Sequence, residues 1–326
     1  KNMFEDIKNN NRTKGTHDVL IGVSGGTDSS TAVVLAKEAG LKVLAVHMDN
    51  GWDTPVAIKN INKLISLTNV DYECEVLNWN NFRDLQRSFI ESGLPDIEFP
   101  TDIAIPAVIN RVAIKYGIKT ILSGGNLSNE GILPPSWMYS ARDTLFAESV
   151  IKNSGYKTSS YKKIKFGFRD ELAHRLVYRI KTLYPLNEYD YDKESAKNNL
   201  EELIGWERPV GKHCESVYTR FCQLIYHPKR NNIDYRRARL SSDICLKRIS
   251  REKALNILET PPWREIDVNY ELEFVAYKLG YSLKQLKNIM SQPSLWFEDF
   301  PNRKKLLCFA YDFYRLLTRM QKISNF

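Results

Sequence analysis

Short apolar runs alternate with longer stretches of helical periodicity over the first 125 residues of the chain. DVLIGVS (18–24), KVLAVHMD (42–49), YECEVLNW (72–79) and KTILSGG (119–125) read as strands. Between them, 27–40, 54–69, 81–93 and 102–117 read as helices. In the first of these, Ala32, Leu35, Ala36 and Ala39 recur at helical spacing and Gly40 supplies the stop. Pro55 is tolerated because it falls in a first turn.

Strand–helix alternation predicts an α/β fold, a parallel sheet flanked by helices on both faces. Ligands in such sheets sit beyond the carboxyl ends of the strands. Gly25-Gly26 and Gly124-Gly125 both follow strands directly, so the two pairs are expected on one sheet edge. From about residue 128 the pattern changes. GILPPSWMYSARD reads as a loop, and 152–169, rich in Lys, Ser, Tyr and Gly, as an exposed mobile segment. Helical periodicity then dominates, over 169–182, 192–204, 213–227, 250–259, 268–279, 283–290 and 304–322. The expected division is a nucleotide domain over 1–185 and a mainly helical C-terminal region over 186–326.

Composition narrows the class. The 326 residues are 43% hydrophobic and 26% charged, a globular profile with room for more than one core. No apolar run has the roughly 18 residues needed to span a bilayer. KNMFEDIKNN lacks the apolar core of a secretory signal, and without an initial Met an upstream piece is expected to be missing. The five cysteines are scattered, with no CxxC, which points to a reducing, cytoplasmic setting. His213, Cys214, Cys222 and Cys245 match no standard zinc-ligand spacing. The net charge of +8 admits polyanionic partners without choosing among them.

The chemistry concentrates in GVSGGTDSS (22–30). Two residues without Cβ let backbone N–H groups close on an anion, and the helix that follows adds its positive end. Ser24, Thr27, Ser29 and Ser30 add hydroxyls. The loop is neither a Walker A motif nor a G-x-G-x-x-G fingerprint. Asp28 in its midst would repel a phosphate unless a cation stood between them, which gives it a role toward Mg²⁺ held against ATP phosphates.

S-G-G-x-D-S in this context resembles the PP-loop ATP pyrophosphatase superfamily, whose fold is adenine nucleotide alpha-hydrolase-like and whose members release pyrophosphate and transfer AMP to a substrate oxygen. The segments SGGNLSNEGILPPSW (123–137), YPLNEYDYDKESA (184–196), GWERPVGKHCESVYTRFCQ (205–223) and RRARLSSDICLKRISREKAL (236–255) extend the likeness. Together they resemble the N-acetyl sugar amidotransferases of surface-polysaccharide and flagellin-sugar biosynthesis. That resemblance implies adenylation of an acetamido oxygen and displacement of AMP by ammonia, giving an acetamidino sugar. It implies an N-acetylated sugar as partner, ammonia from a glutaminase and cyclase-like pair, and no nucleic acid. Many relatives open with a cysteine-rich, zinc-ribbon-like segment that is not found here.

Under this resemblance Ser24, Gly25, Gly26, Thr27, Asp28, Ser29 and Ser30 hold the phosphates, with Asp28 toward the metal. His47 and Met48, in VHMDNGW, lie where adenine binds, and Asp49 faces ribose or metal. Gly124, Gly125 and Asn126 complete the nucleotide side. Glu130 contacts the acceptor or caps a helix, and Asp102 opens a helix as a cap or contacts substrate. His213, Glu215 and Arg220 line the acceptor pocket or belong to a packed helix. Asp28, Glu130 and Arg220 form the expected catalytic set. Segments 127–143 and 152–169 are candidate lids, with Gly155 and Gly167 as hinges. Eight basic residues against two acidic ones over 229–251 suit a diphosphate, a partner or RNA, or simply a solvated face. The rival readings are a tRNA-modifying enzyme of thiolase or lysidine-ligase type, an amide ligase acting on a carboxylate, and a regulatory nucleotide-binding module.

Overall fold

The computed structural model describes residues 3–11, 16–126, 133–134, 136–137, 139–188, 191–209 and 214–318. The chain forms two compact units, each assembled from three separate stretches. The first comprises 1–78, 105–130 and 172–220, and the second 79–104, 131–171 and 221–326.

The first unit is built on a five-stranded, all-parallel sheet in the order β3-β2-β1-β4-β5. Its strands are β1 (Val19–Gly22), β2 (Val43–Asp49), β3 (Asp71–Val76), β4 (Thr120–Leu122) and β5 (Lys181–Leu183). Alternate side chains serve opposite faces, as pleating requires. Val19, Ile21, Val43 and Ala45 pack with Phe4 and Ile7 of α1 (Met3–Asn11), Val33 and Ala36 of α2 (Thr27–Glu38), Ile61 and Leu64 of α3 (Pro55–Thr68), and Leu200. Leu20, Leu44, Val46 and Ile121 face Val108, Val112 and Ala113. The α/β class and the parallel sheet are thus as expected. β5 was not, because its first two residues, Lys181 and Thr182, fall inside the stretch 169–182 read as one helix. The helix Phe168–Leu176 stops early, Ile180 is buried, and the chain adds an edge strand instead.

The order 3-2-1-4-5 places the switch point between β1 and β4. The loops leaving these two strands therefore lie side by side, which is where such sheets bind ligands.

The second unit is helical around an aromatic core. Phe89 stacks on Phe99 with centroids 4.8 Å apart, Phe146 meets Phe99 edge-on at 5.5 Å, and Tyr139 lies 4.6 Å from both Phe146 and Phe297. Asp143 caps the helix Thr144–Asn153 by accepting from the amides of Leu145 and Phe146, both at 3.1 Å, and takes the Tyr139 hydroxyl at 2.8 Å. The stretch expected to be exposed and mobile is packed down by Tyr161, Ile164 and Phe166, all buried. The helix expected over 213–227 begins at Val217 and becomes a π-helix over Cys222–Asn231, with Pro228 inside it. Among the described residues, no helix is long and apolar enough to cross a membrane.

Candidate functional site

The loop after β1 is held by its own hydroxyls. The Ser24 amide donates to Ser29 Oγ and the Gly26 amide to Ser24 Oγ, each at 3.3 Å. Gly25 has φ +77, and a Cβ there would strike the Ala57 carbonyl, so only glycine fits. Its carbonyl accepts from Asn60 Nδ2 at 3.2 Å and from Trp206 Nε1 at 3.0 Å. Those two buried donors fix the peptide from behind. Gly26 caps α2 with extended backbone and no side-chain bond, which leaves the first-turn amides for an outside acceptor. Ser30 is fully buried, and its hydroxyl has no partner among the described residues.

The second glycine loop abuts the first. A Cβ on Gly124 would come within 2.7 Å of the Ser29 amide nitrogen, so the chains touch backbone to backbone at the turn containing Asp28. The Gly125 amide donates to Ser123 Oγ at 3.1 Å, and Asn126 is buried with its amide nitrogen 3.5 Å from the Gly124 carbonyl. The structure therefore unites Ser24–Ser30 with Gly124–Asn126 at the switch point.

Asp28 is not left open. It accepts from the Tyr191 hydroxyl at 2.6 Å and from Lys193 Nζ at 3.0 Å. Burial, then the Asp28 carboxylate, raises the Tyr191 hydroxyl far above the usual phenol range, keeping it a donor. A second carboxylate comes from far along the chain. Glu215 lies against Gly26, where an added Cβ would collide with its Oε1. It is placed by the Thr54 amide donating to the Glu215 carbonyl at 2.9 Å, by the Val217 amide donating to the Trp52 carbonyl at 2.8 Å, and by a bridge between Asp53 and Ser216. Glu215 precedes the helix Val217–Phe221 rather than lying on the helix expected over 213–227.

His47 has both ring nitrogens engaged, Nδ1 with the Val23 carbonyl at 2.9 Å and Nε2 with Asp53 Oδ2 at 3.0 Å. Burial works to lower its pKa. The hydrogen bond and charge of Asp53 act the other way, joined by Val23 and Asp49, and leave it above 6.5. With both nitrogens engaged, His47 ties the β2 end to the loop rather than standing open as a base. Met48 is half-buried at the end of β2. Arg220 is half-buried on the short helix Val217–Phe221, with its amide donating to the Ser216 carbonyl at 3.0 Å. In the second unit, Asp102 sits in the first turn of a helix that begins at Phe99, so it is not that helix's cap. Glu130 and His213 lie outside the described residues.

Four functional contacts were not foreseen: Asn60, Trp206, Tyr191 and Lys193. Each is distant in sequence from the loop it serves; Tyr191, Lys193 and Trp206 fall in segments that carry the resemblance, but nothing local assigns them to that loop.

The donor set fits the groups implied by the loop. Open amides and a buried hydroxyl suit phosphate oxygens. Two carboxylates, Asp28 and Glu215, suit Mg²⁺, which takes one or two protein carboxylates and completes its shell with phosphate and water. Among the described residues no three metal-type side chains cluster, so an all-protein metal cage is not present there.

Two family models match the chain. "Queuosine biosynthesis protein QueC" matches residues 18–103, and "LPS biosynthesis protein WbpG-like, C-terminal domain" matches residues 215–318. The Mitochondrial tRNA-specific 2-thiouridylase 1 of Drosophila melanogaster is 25% identical over 229 residues, covering 67% of this chain and 54% of its own length. The chain thus spans about half the length of that relative. Among solved structures, the U34-tRNA thiolase NcsA from Methanococcus maripaludis aligns with 76% of this chain and 79% of its own at 15% identity and TM-score 0.37. An NH3-dependent NAD synthetase from Campylobacter jejuni aligns with 62% of this chain and 90% of its own at 14% identity and TM-score 0.33.

The expected partners require correction. A sugar with an ammonia-supplying pair, and no nucleic acid, was expected, but the relative aligned with two thirds of the chain is named for tRNA. That finding removes the exclusion of nucleic acid and the partner set built on it. ATP-dependent ligase-type chemistry of the PP-loop kind is supported by the matches. The chain is thus similar to PP-loop proteins of the QueC kind over 18–103 and to the WbpG-like C-terminal domain over 215–318.

Proposed function

We propose that the protein is an AMP-forming enzyme that adenylates an amide-type carbonyl oxygen, and that its acceptor is a base of tRNA. One observation carries the adenylation step: the two glycine loops meet backbone to backbone at Asp28–Ser29, at the sheet's switch point. The open amides of the first turn of α2, with Ser30, hold the β- and γ-phosphates. Asp28 and Glu215 would hold Mg²⁺, which supplies charge neutralisation at those phosphates. Tyr191 and Lys193 hold the Asp28 carboxylate in place. The acceptor oxygen attacks the α-phosphorus, the bond to the β-phosphate oxygen breaks, and pyrophosphate leaves. A nitrogen nucleophile then attacks the activated carbon, gives up a proton, and AMP departs with the former carbonyl oxygen.

The nucleophile is assigned to nitrogen rather than sulfur on the state of the cysteines. None lies in a CxxC pair. Cys74, Cys245 and Cys308 are exposed and scattered along the chain, while Cys214 and Cys222 are buried, and burial, with the charges of Glu98, Asp96 and Asp102, pushes the Cys222 thiol well above its ordinary range. A thiol in that state is unreactive. The lysidine-ligase type of chemistry fits better than thiolation.

The tRNA acceptor is supported by the relative named for tRNA and by exposed cations of the second unit, Arg237, Lys247 and Arg251. Other members of that basic run are spent internally. Arg236 pairs with Asp234 at 2.7 Å, and Lys229 lies 5.0 Å from the Trp263 ring centre. The WbpG-like match over 215–318 favours a second reading, with the same adenylation step and an acceptor from lipopolysaccharide biosynthesis.

The test is product analysis with α-labelled ATP and a purified tRNA pool, with and without ribonuclease. Acceptor-dependent AMP that vanishes on ribonuclease treatment supports tRNA. AMP formation that resists ribonuclease and follows a small-molecule extract transfers the assignment to the second reading. Formation of ADP alone removes both.

A further inference from the structure

The helix Lys304–Thr318 of the second unit has two apolar faces. One is used: Leu307 is 7% exposed and belongs to the core. The other is open. Leu306, Phe309, Phe313 and Leu316 are 60%, 69%, 54% and 77% exposed. Their spacing of three, four and three residues places them in a single stripe, the a and d positions of a short heptad seam. Scattered exposed apolar residues are ordinary, but a continuous stripe on a soluble chain marks an interaction face.

The order of the stripe selects its occupant. Read from either end it is Leu, Phe, Phe, Leu, symmetric about Tyr311. A two-fold interface needs this property, because residue i must meet j while j meets i. Two such helices packed antiparallel set Leu306 against the partner's Leu316 and Phe309 against the partner's Phe313. In a parallel pairing the exposed Lys304 and Lys305 of both copies would crowd together. The antiparallel arrangement separates them and brings each pair to the other helix's negative C-terminal end. The four side chains expose about 500 Å² per copy, so pairing removes at most about 1,000 Å² from them, at the lower edge of specific interfaces.

We infer that this helix is the two-fold interface of a homodimer formed by a second copy of the chain. The inference uses only the second unit and is independent of the proposed reaction.

Sedimentation velocity over a micromolar concentration series tests it. Wild type is expected to sediment at twice 37.8 kDa. Phe309→Asp with Phe313→Asp is expected to sediment as a monomer with an unchanged far-UV spectrum, since both positions face solvent in the single chain. Leu306→Lys alone should weaken association at least tenfold. Adding Leu316→Glu should recover association, because the antiparallel register sets the two new charges opposite each other across the axis. A wild type that stays monomeric, or a dimer that survives the double aspartate variant with its helices intact, overturns the interface. A Leu306→Lys, Leu316→Glu protein no tighter than Leu306→Lys alone overturns the antiparallel register.

Discussion

His47 in the first unit and His227 in the second are buried alike, at 7% and 0% exposure, yet their pKa values are shifted in opposite directions. His47 has a carbonyl on one nitrogen and the Asp53 carboxylate on the other, and its pKa is raised. His227 has no hydrogen-bond partner on either nitrogen among the described residues and lies 5.0 Å from the Tyr235 ring. Burial alone pushes its pKa down to about 3. The contrast extends to the surroundings. Around the glycine loops, polar groups point at one another and at an open anion cradle. In the second unit, aromatic packing fixes the frame, and a polar ring is tolerated as a neutral filler. One unit is organised to handle charge and the other to hold shape.

The largest expected effect tests the shape side. Phe146→Ala removes a ring that packs against Phe99, Tyr139 and Phe300, and should cost about 3–5 kcal/mol in chemical denaturation. A loss near that of an exposed site would mean the aromatic core is not the frame of its unit.

Next is the charge side. Asp28→Ala should lower AMP-forming turnover by about 10²–10³-fold while the circular dichroism spectrum stays that of wild type. Near-wild-type turnover in a folded variant would end the role given to this carboxylate. Gly124→Ala follows. Its Cβ would press on the Ser29 backbone, and the loops would have to part, at a cost of about 1–3 kcal/mol. The pyrophosphate-forming rate should fall with it. A thermal scan unchanged from wild type would show that the two loops are not in contact.

The smallest effect sharpens the histidine comparison directly. His227 has a folded pKa below its unfolded value of about 6.5, so its contribution to stability is complete above that pH. It is lost as pH falls toward 3, by about 1 kcal/mol per pH unit. His47 has a folded pKa above the unfolded one, so its contribution is complete below pH 6.5 and is lost as pH rises through the folded value. Urea unfolding between pH 4 and 8 should therefore show His227→Phe flattening the acid limb and His47→Gln flattening the alkaline limb, the range being chosen about the histidine pKa of about 6.5. The same limb flattening in both variants would refute the contrast.

Much of this frame was legible from residue order. β1, β2 and β4 are apolar runs ended by glycine or polar turns, and the helices between them carry plain start signals. Pro55 stands in a first turn as read, and Thr54 before it caps the helix by accepting from the Ala57 amide. The pairing of the two glycine loops was also legible, since both follow parallel strands. What escaped reading depends on distance or on broken periodicity. Three-residue β5 is too short to show a pattern. Pro228 disguises the π-helix by sitting where helices normally end. The side chains that finish the cradle, Glu215 against Gly26 and Tyr191 and Lys193 on Asp28, are brought there by more than 160 intervening residues, as in the 163 that separate Tyr191 from Asp28. Nothing local distinguishes that glutamate from one on a surface helix.

ATP–pyrophosphate exchange tests the central claim most directly. Labelled pyrophosphate, unlabelled ATP, Mg²⁺ and the acceptor fraction are incubated with enzyme, and label is followed into ATP. Reversible attack at the α-phosphorus in the Ser24–Ser30 loop predicts exchange that depends on acceptor and disappears in Asp28→Ala. Absence of exchange, with ADP and orthophosphate accumulating in its place, would contradict it.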